Sequence, residues 1–386
     1  MRGVNYYILF LWVALVLSAT NITGIFAQQR TLDVNFLKDG KLCNETILLD
    51  FINEQGNIVS PYIESVRFSI LDSTNYIDNN PDRKQVYSTP VKLDFKKEIE
   101  PYSPEYYTAY TVYNINKTIE YYNSLFHNKI DFNSQKEYKN IEITLGDIPF
   151  LTSPKTYIFE ENSNPSPSLF FHEIGHRAFW LLEDSLGIKF KGLSYVHMGL
   201  LEYFTVSLNN SPIVGEDALP SKMIRNASWI YGYPPADSLN IENMLKLLKD
   251  SYPHKIDDKE SNIAKYYNVA SNSYKDYYQR LDNHRGGMII AGTLWRIRQK
   301  LGQNIVDKLV VETTLNLNAY MNQREQFYNI VGKTENLPDK IEWYDIYYGL
   351  LQKDKELNES KGQKIITEEF IRTGFNVDKV HIIDDK

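Results

Sequence analysis

The sequence is poor in cysteine, in basic runs and in long hydrophobic runs. Cys43 is the only cysteine among 386 residues, which excludes an intramolecular disulfide framework. Runs of basic residues are absent and the formal net charge is −7, a balance that repels phosphate and argues against a nucleic-acid partner. The sequence also shows no internal repeat. We therefore expect a fold stabilised by a hydrophobic core, with help from any bound metal.

The main apolar run lies at the N-terminus. Arg2 precedes the apolar stretch 8–17, and Ile25-Phe26-Ala27 resembles the end of a secretion signal. The stretch is short for a membrane span and its downstream flank is polar. We expect residues 1–27 to be a cleaved signal peptide and the mature protein to be secreted or periplasmic. An uncleaved N-terminal anchor is the alternative.

The rest of the chain divides near Pro101 and Pro104. Strand-like segments at 46–52 and 63–70 predict a small N-terminal β-rich domain over residues 28–104. Residues 105–386 predict a mainly helical domain. Short strands are predicted at 141–145 and 156–159, and helices at 105–125, 195–208, 288–300, 304–317, 344–357 and 365–373. Together they predict an α+β fold.

The most informative motif is His172-Glu173-Ile174-Gly175-His176, an H-E-x-x-H sequence. On a helix, residues i and i+4 share a face, so both imidazoles can reach one Zn²⁺ with Glu173 beside it as a base. Gly175 lowers helix propensity, and the close approach of another backbone would explain it. The alternative is that two histidines merely flank a buried helix.

The surroundings of the motif predict a helix. Ser166 is a candidate N-cap and Pro167 suits the first helical position. Apolar residues then recur at helical spacing, and Gly187 is a plausible end of the helix.

Two histidines do not complete a catalytic zinc site, which usually has three protein ligands and one open position. The metzincin pattern requires a histidine six positions after His176, where Leu182 stands, so that arrangement is excluded. Glu202, on the following predicted helix, is the first candidate for the third ligand. His197 is the second, although it lies on a different helical face. If neither binds, the site holds metal weakly or not at all.

Three segments resemble the gluzincin metallopeptidases, especially the fungalysin and thermolysin group: the H-E-x-x-H motif, residues 199–204 and residues 282–295. Around residue 200, Met198 aligns with the zinc-binding glutamate of the family and Glu202 with the acid that supports a zinc-bound histidine. A thioether is a poor zinc ligand, so Met198 departs from the family pattern.

In the third segment, the fungalysin-like pattern is matched by His284, Gly287, Leu294 and Trp295. The resemblance covers about 105–376 and implies a two-lobed catalytic domain. It also implies that His284 donates a hydrogen bond to the oxyanion formed during peptide hydrolysis. Asp282 could orient His284 or merely begin a turn.

The sequence thus predicts an exported zinc peptidase that acts on a peptide or protein substrate. Zn²⁺ would be held by His172, His176 and Glu202, with Glu173 and His284 as the catalytic residues. One alternative is a catalytically impaired homologue that serves as a binding or scaffolding module. A purely structural role for the helix pair is the other.

Overall fold

The computed structural model describes residues 30–38, 41–71, 88–145, 155–159, 167–188, 190, 195–214, 225–226, 274–330 and 341–383. The predicted signal peptide lies outside these residues, and so do the side chains of residues 274–286. Within the described part of the chain, no helix combines the length and apolar character needed to cross a membrane.

The chain begins with an antiparallel hairpin. Strand β1, Thr31–Lys38, pairs with β2, Lys41–Leu48. Alternate side chains of the hairpin and of the residue after it enter the core, since strands turn successive residues to opposite faces. These are Leu32, Val34, Ile47 and Leu49.

A mixed four-stranded sheet, in the order β4-β3-β5-β6, follows the hairpin. Its strands are β3 Ser65–Leu71, β4 Ser88–Val91, β5 Asn140–Leu145 and β6 Thr156–Phe159. β3 pairs antiparallel with β4 but parallel with β5, and β5 pairs parallel with β6. The sheet therefore joins the segment before the expected boundary at 104 to the segment after it.

Helices form most of the remaining described chain, so the α+β class is confirmed as a small N-terminal β region followed by a mainly helical body. The helices are α1 Pro104–Leu125, α2 Pro167–Leu186, α3 Tyr195–Asn209, α4 Tyr274–Leu301, α5 Gln303–Asn322, α6 Arg324–Phe327, α7 Trp343–Asn358 and α8 Gln363–Thr373. The described chain also forms two short antiparallel pairs, β7 Ile213–Val214 with β8 Arg225–Asn226 and β9 Tyr328–Ile330 with β10 Val380–Ile382.

Local sequence explains several helix ends. Ser103 caps α1 by accepting a hydrogen bond from the Tyr106 amide at 3.1 Å, and Pro104 stands at the first helical position. Gly187, at φ +65°, follows the last residue of α2 in the left-handed conformation that glycine adopts readily.

One hydrophobic cluster connects the sheet with α1, α2 and α3. Phe68 of β3 is 1 % exposed and stacks on Tyr107 of α1 at 6.5 Å between ring centroids. The N-terminal strands therefore contribute to the same core as the helix that carries the histidine motif.

Helices α3 and α4 cross almost backbone to backbone. A Cβ added to Gly287 would lie 2.6 Å from the Cβ of Met198 and 2.9 Å from the Gly199 amide nitrogen. A Cβ on Gly199 would lie 2.6 Å from the Cβ of Ile290. The two glycines therefore permit a contact that any larger residue would prevent, and this contact holds Met198 against α4.

Candidate metal centre

The two histidines of the H-E-x-x-H motif lie side by side on α2. Nε2 of His172 is 3.2 Å from Nε2 of His176, and the two rings are nearly perpendicular. His172 is 2 % exposed and His176 is 7 % exposed. The i, i+4 spacing thus brings the two Nε2 atoms to one point at the edge of the buried core.

This spacing fits two ligands of one zinc ion. Zinc–nitrogen bonds of 2.0–2.1 Å in a tetrahedral site place two ligand nitrogens about 3.3 Å apart. The observed separation of 3.2 Å is close to that value.

Glu202 lies at the other nitrogen of His172. Its Oε1 is 3.3 Å from Nδ1 of His172, and the whole residue is buried. It therefore approaches a different edge of the ring from the one that faces His176. In metal-binding histidines, a carboxylate that contacts the ring nitrogen not bound to the metal fixes the tautomer and the ring orientation. The role of Glu202 as a direct third ligand stays a prediction.

His197 makes the equivalent contact with the second histidine. Its Nε2 is 3.1 Å from Nδ1 of His176, and the residue is fully buried. Burial lowers the pKa of His197 to about 3, so the ring is neutral at neutral pH. The aromatic rings of Phe179 and Phe190, with centroids at 5.1 and 5.5 Å, account for part of this burial.

A neutral His197 can accept a hydrogen bond at Nε2. The Nδ1–H of His176 could then donate to it, which would leave Nε2 of His176 with its lone pair free for a metal. The helical-face argument placed His197 away from the site, but its imidazole reaches His176 from α3.

Glu173 is 8 % exposed and lies on the same turn of α2 as the two histidines. Burial raises the pKa of Tyr157 on β6, and the negative charge of Glu173 raises it further, whereas Arg177 lowers it. Glu173 and Arg177 are therefore both close enough to act electrostatically on the Tyr157 hydroxyl, and a carboxylate is one of the side chains that serve as a general base.

Gly175 allows α1 to approach the motif. A Cβ at this position would lie 2.6 Å from the hydroxyl oxygen of Tyr122 and 3.1 Å from Cγ of Leu201. The Tyr122 hydroxyl donates a hydrogen bond to the Phe171 carbonyl at 3.3 Å. Close approach was expected from another backbone, but the contacting groups are side chains.

The third ligand is not evident in the described part of the chain, where no group of three His, Cys, Asp or Glu side chains could hold a metal ion. Met198 is fully buried and its Cβ lies against Gly287. Residues 282–285 belong to helix α4, so a turn at Asp282 is wrong. The side chains of Asp282 and His284 lie outside the described residues, and their roles stay predictions.

Comparison with known protein families and with curated proteins finds no match for this chain. The resemblance to the gluzincins therefore rests on the residues of the three segments themselves.

The sequence reasoning missed Trp180 and Arg177. The ring of Trp180, one turn after His176, stacks on the imidazole at 5.8 Å between centroids. Arg177 is completely buried. Its position offered a signal, because it lies three residues after Ile174 and four before Leu181, within the apolar stripe of α2.

Proposed function

We propose that the protein is an exported zinc-dependent peptidase, with His172 and His176 holding the metal through Nε2. The observation that carries this proposal is the 3.2 Å separation of the two Nε2 atoms in a sequence that also provides Glu173. When bound, Zn²⁺ supplies Lewis-acid polarisation of a peptide carbonyl and of water. A peptide or protein is the substrate class that the gluzincin resemblance implies.

Each residue of the site then has a defined task. Glu173 accepts a proton from the attacking water and returns it to the departing amine. Glu202 and His197 orient the two histidines through their Nδ1 atoms. His284 donates a hydrogen bond to the carbonyl oxygen as negative charge develops on it, a role that comes from the family resemblance.

A catalytically impaired homologue is the second candidate. The observation in its favour is Met198, which stands where the resemblance expects a zinc-binding glutamate and packs against Gly287 of α4. In this case the fold would serve as a binding or scaffolding module. A direct hydrogen bond between the two histidine rings has a length similar to the observed separation, so metal content is the first quantity to measure.

The test combines zinc content with peptide hydrolysis. We expect about one zinc per chain and cleavage of casein or of a quenched fluorescent peptide. Glu173→Gln should retain zinc but lower hydrolysis by about 10²- to 10⁴-fold, because only the proton transfer is lost. Glu120→Gln, at an exposed position of α1, is the matched control and should behave as wild type.

Two outcomes would reject the peptidase. Stoichiometric zinc without cleavage that depends on Glu173 would favour the impaired homologue. A purified protein that binds no zinc would leave the histidine pair with a structural role.

A further inference from the structure

Trp180 lies against the second histidine of the motif. It follows His176 by one turn on α2, and helical side chains lean back toward the preceding turn. The indole and the imidazole are nearly parallel, at 21°, with 5.8 Å between their centroids. Trp180 is partly exposed, whereas its neighbours Phe179 and Leu181 are buried. The contact with His176 is therefore made at the edge of the core, on the same side of α2 as the candidate metal centre.

A second ring holds the indole from outside its own helix. Tyr138, which precedes β5 in the chain, stacks on Trp180 with 6.0 Å between the centroids and 28° between the planes. The guanidinium carbon of Arg177 lies 5.0 Å from the centroid of the Tyr138 ring. A continuous series of contacts therefore runs from Arg177 through Tyr138 and Trp180 to His176.

The other contacts of His176 act on its nitrogen atoms. His197 lies 3.1 Å from Nδ1, and Nε2 of His172 lies 3.2 Å from Nε2 of His176. These contacts determine where the two nitrogens point. Trp180 instead stacks on the imidazole ring, so its effect on His176 depends on the charge that the ring carries.

The face of an indole attracts positive charge more strongly than the faces of the other aromatic side chains, over about 6 Å from the ring centroid. The distance of 5.8 Å between Trp180 and His176 lies within that range. A neutral imidazole gains only ordinary stacking energy from such a contact. An imidazole bound to a metal ion through Nε2 takes on part of the positive charge of the ion. The contact is therefore stronger in the metal-bound state, and a difference of this kind raises the affinity for the metal.

We propose that Trp180 is a positioning residue that strengthens zinc binding, because its indole holds the His176 ring and stabilises the positive charge that the ring gains with the metal. The inference rests on the metal centre of the proposed function but not on peptide hydrolysis. It gives Trp180 a contribution that an aliphatic residue in the same place does not make.

Replacement of Trp180 tests the contribution of the ring. The measurement is the zinc affinity of the purified protein, by competition with a chelator of known strength. Trp180→Leu should weaken zinc binding about 3- to 30-fold, which is the size expected for the loss of a cation–π contact. Trp180→Phe should weaken it less, because phenylalanine keeps an aromatic face. Thermal unfolding of the zinc-free proteins establishes that each variant is folded.

Fluorinated tryptophan separates the charge of the ring face from its shape. Fluorine withdraws electron density from the face but changes the size of the indole little, so each added fluorine weakens a cation–π contact. One, two and three fluorine atoms at position 180 should lower the zinc affinity stepwise. The matched control is the same series at position 343, where the Trp343 ring packs on Phe370 and Phe375 at 6.5 and 4.8 Å between centroids. Zinc affinity should stay constant in the control series.

A stepwise loss of affinity at position 180 alone would support the inference. Equal zinc affinities of Trp180→Leu and wild type would overturn it. A loss in Trp180→Leu without any effect of fluorination would also overturn it, because Trp180 would then act through its shape alone. In both of these cases the metal centre itself would stand. A wild-type protein that binds no zinc would instead reject the metal centre of the proposed function and this inference together.

Discussion

At the scale of single residues, the Nδ1 atoms of His172 and His176 are as informative as their Nε2 atoms. Nδ1 of His172 faces Glu202 and Nδ1 of His176 faces His197, at 3.3 and 3.1 Å. An imidazole held at Nδ1 keeps Nε2 available and in a fixed direction. Helix α3, which follows the motif, therefore contacts both histidines at Nδ1, through two residues that lie five positions apart.

We predict that Glu202→Gln and His197→Ala each weaken zinc affinity by about 10- to 100-fold, because each removes the group that orients a ligand. The measurement is zinc affinity by competition with a chelator of known strength. Ser207→Ala is the control on the same helix, since Ser207 donates its hydrogen bond to Asp307 at 2.7 Å rather than to a histidine. Unchanged affinity in both variants would contradict the orienting roles.

Zinc X-ray absorption of the wild type separates orientation from ligation. We expect the signature of two imidazoles. Three imidazoles would instead indicate that His197 or His284 binds the metal directly.

At the scale of elements, the packing of α1 on α2 depends on the absence of a side chain at position 175. A Cβ added at residue 175 would lie only 2.6 Å from the Tyr122 hydroxyl oxygen, which is too close for the two atoms to coexist without a shift. Tyr122 is fully buried and comes from the last turn of α1. Its hydrogen bond to the Phe171 carbonyl joins α1 to the turn of α2 that begins the motif. Gly175 lowers the helix propensity of α2, but the packing of α1 on α2 requires it.

Gly175→Ala should lower the free energy of unfolding by about 1–3 kcal/mol, because overpacking outweighs the gain in helix propensity. Tyr122→Phe alone should cost about 1 kcal/mol through loss of the hydrogen bond. In the double variant the hydroxyl is gone and part of the clash is relieved. Urea unfolding should therefore show a smaller loss for the double variant than the sum of the two single losses. Strictly additive losses would mean that the two positions do not interact.

Local patterns predicted the elements better than their ends. The strand at 156–159 and the helices near 304–317, 344–357 and 365–373 are present because their apolar periodicity is strong. The start of α4 was missed, since residues 274–287 are polar and contain Gly286 and Gly287, which suggest a turn. The contact of Gly287 with α3 depends on residues about ninety positions away in the chain, and no local pattern reports it.

The same limit applies to the candidate site. The H-E-x-x-H spacing alone predicted that His172 and His176 would face one point. The contact of His197 with His176 was not foreseen, because it depends on how α3 crosses α2. The parallel pairing of β3, β5 and β6 could likewise not be predicted from local patterns. Strands that are separated in the sequence by a helix pair only as the whole fold forms.

At the scale of the whole molecule, the N-terminal segment is built into the body through the shared sheet. β3 lies between β4 and β5, so it is an interior strand. Phe68 from β3 and Tyr107 from α1 are buried against each other. A segment that supplies an interior strand and part of the core is expected to be a permanent part of the fold rather than a removable pro-segment.

This expectation can be tested by deletion. We predict that residues 105–386, expressed without the segment 28–104, lose cooperative unfolding, because β5 loses β3, one of its two parallel partners, and the apolar face of α1 is exposed. Near-UV circular dichroism and urea unfolding measure the effect, with the chain that starts at residue 28 as the control. If the shorter chain unfolded cooperatively at the same urea concentration and kept its zinc, the N-terminal segment would be dispensable. In that case the sheet would have to be stable with β5 and β6 alone, although two-stranded pairs are only marginally stable in water.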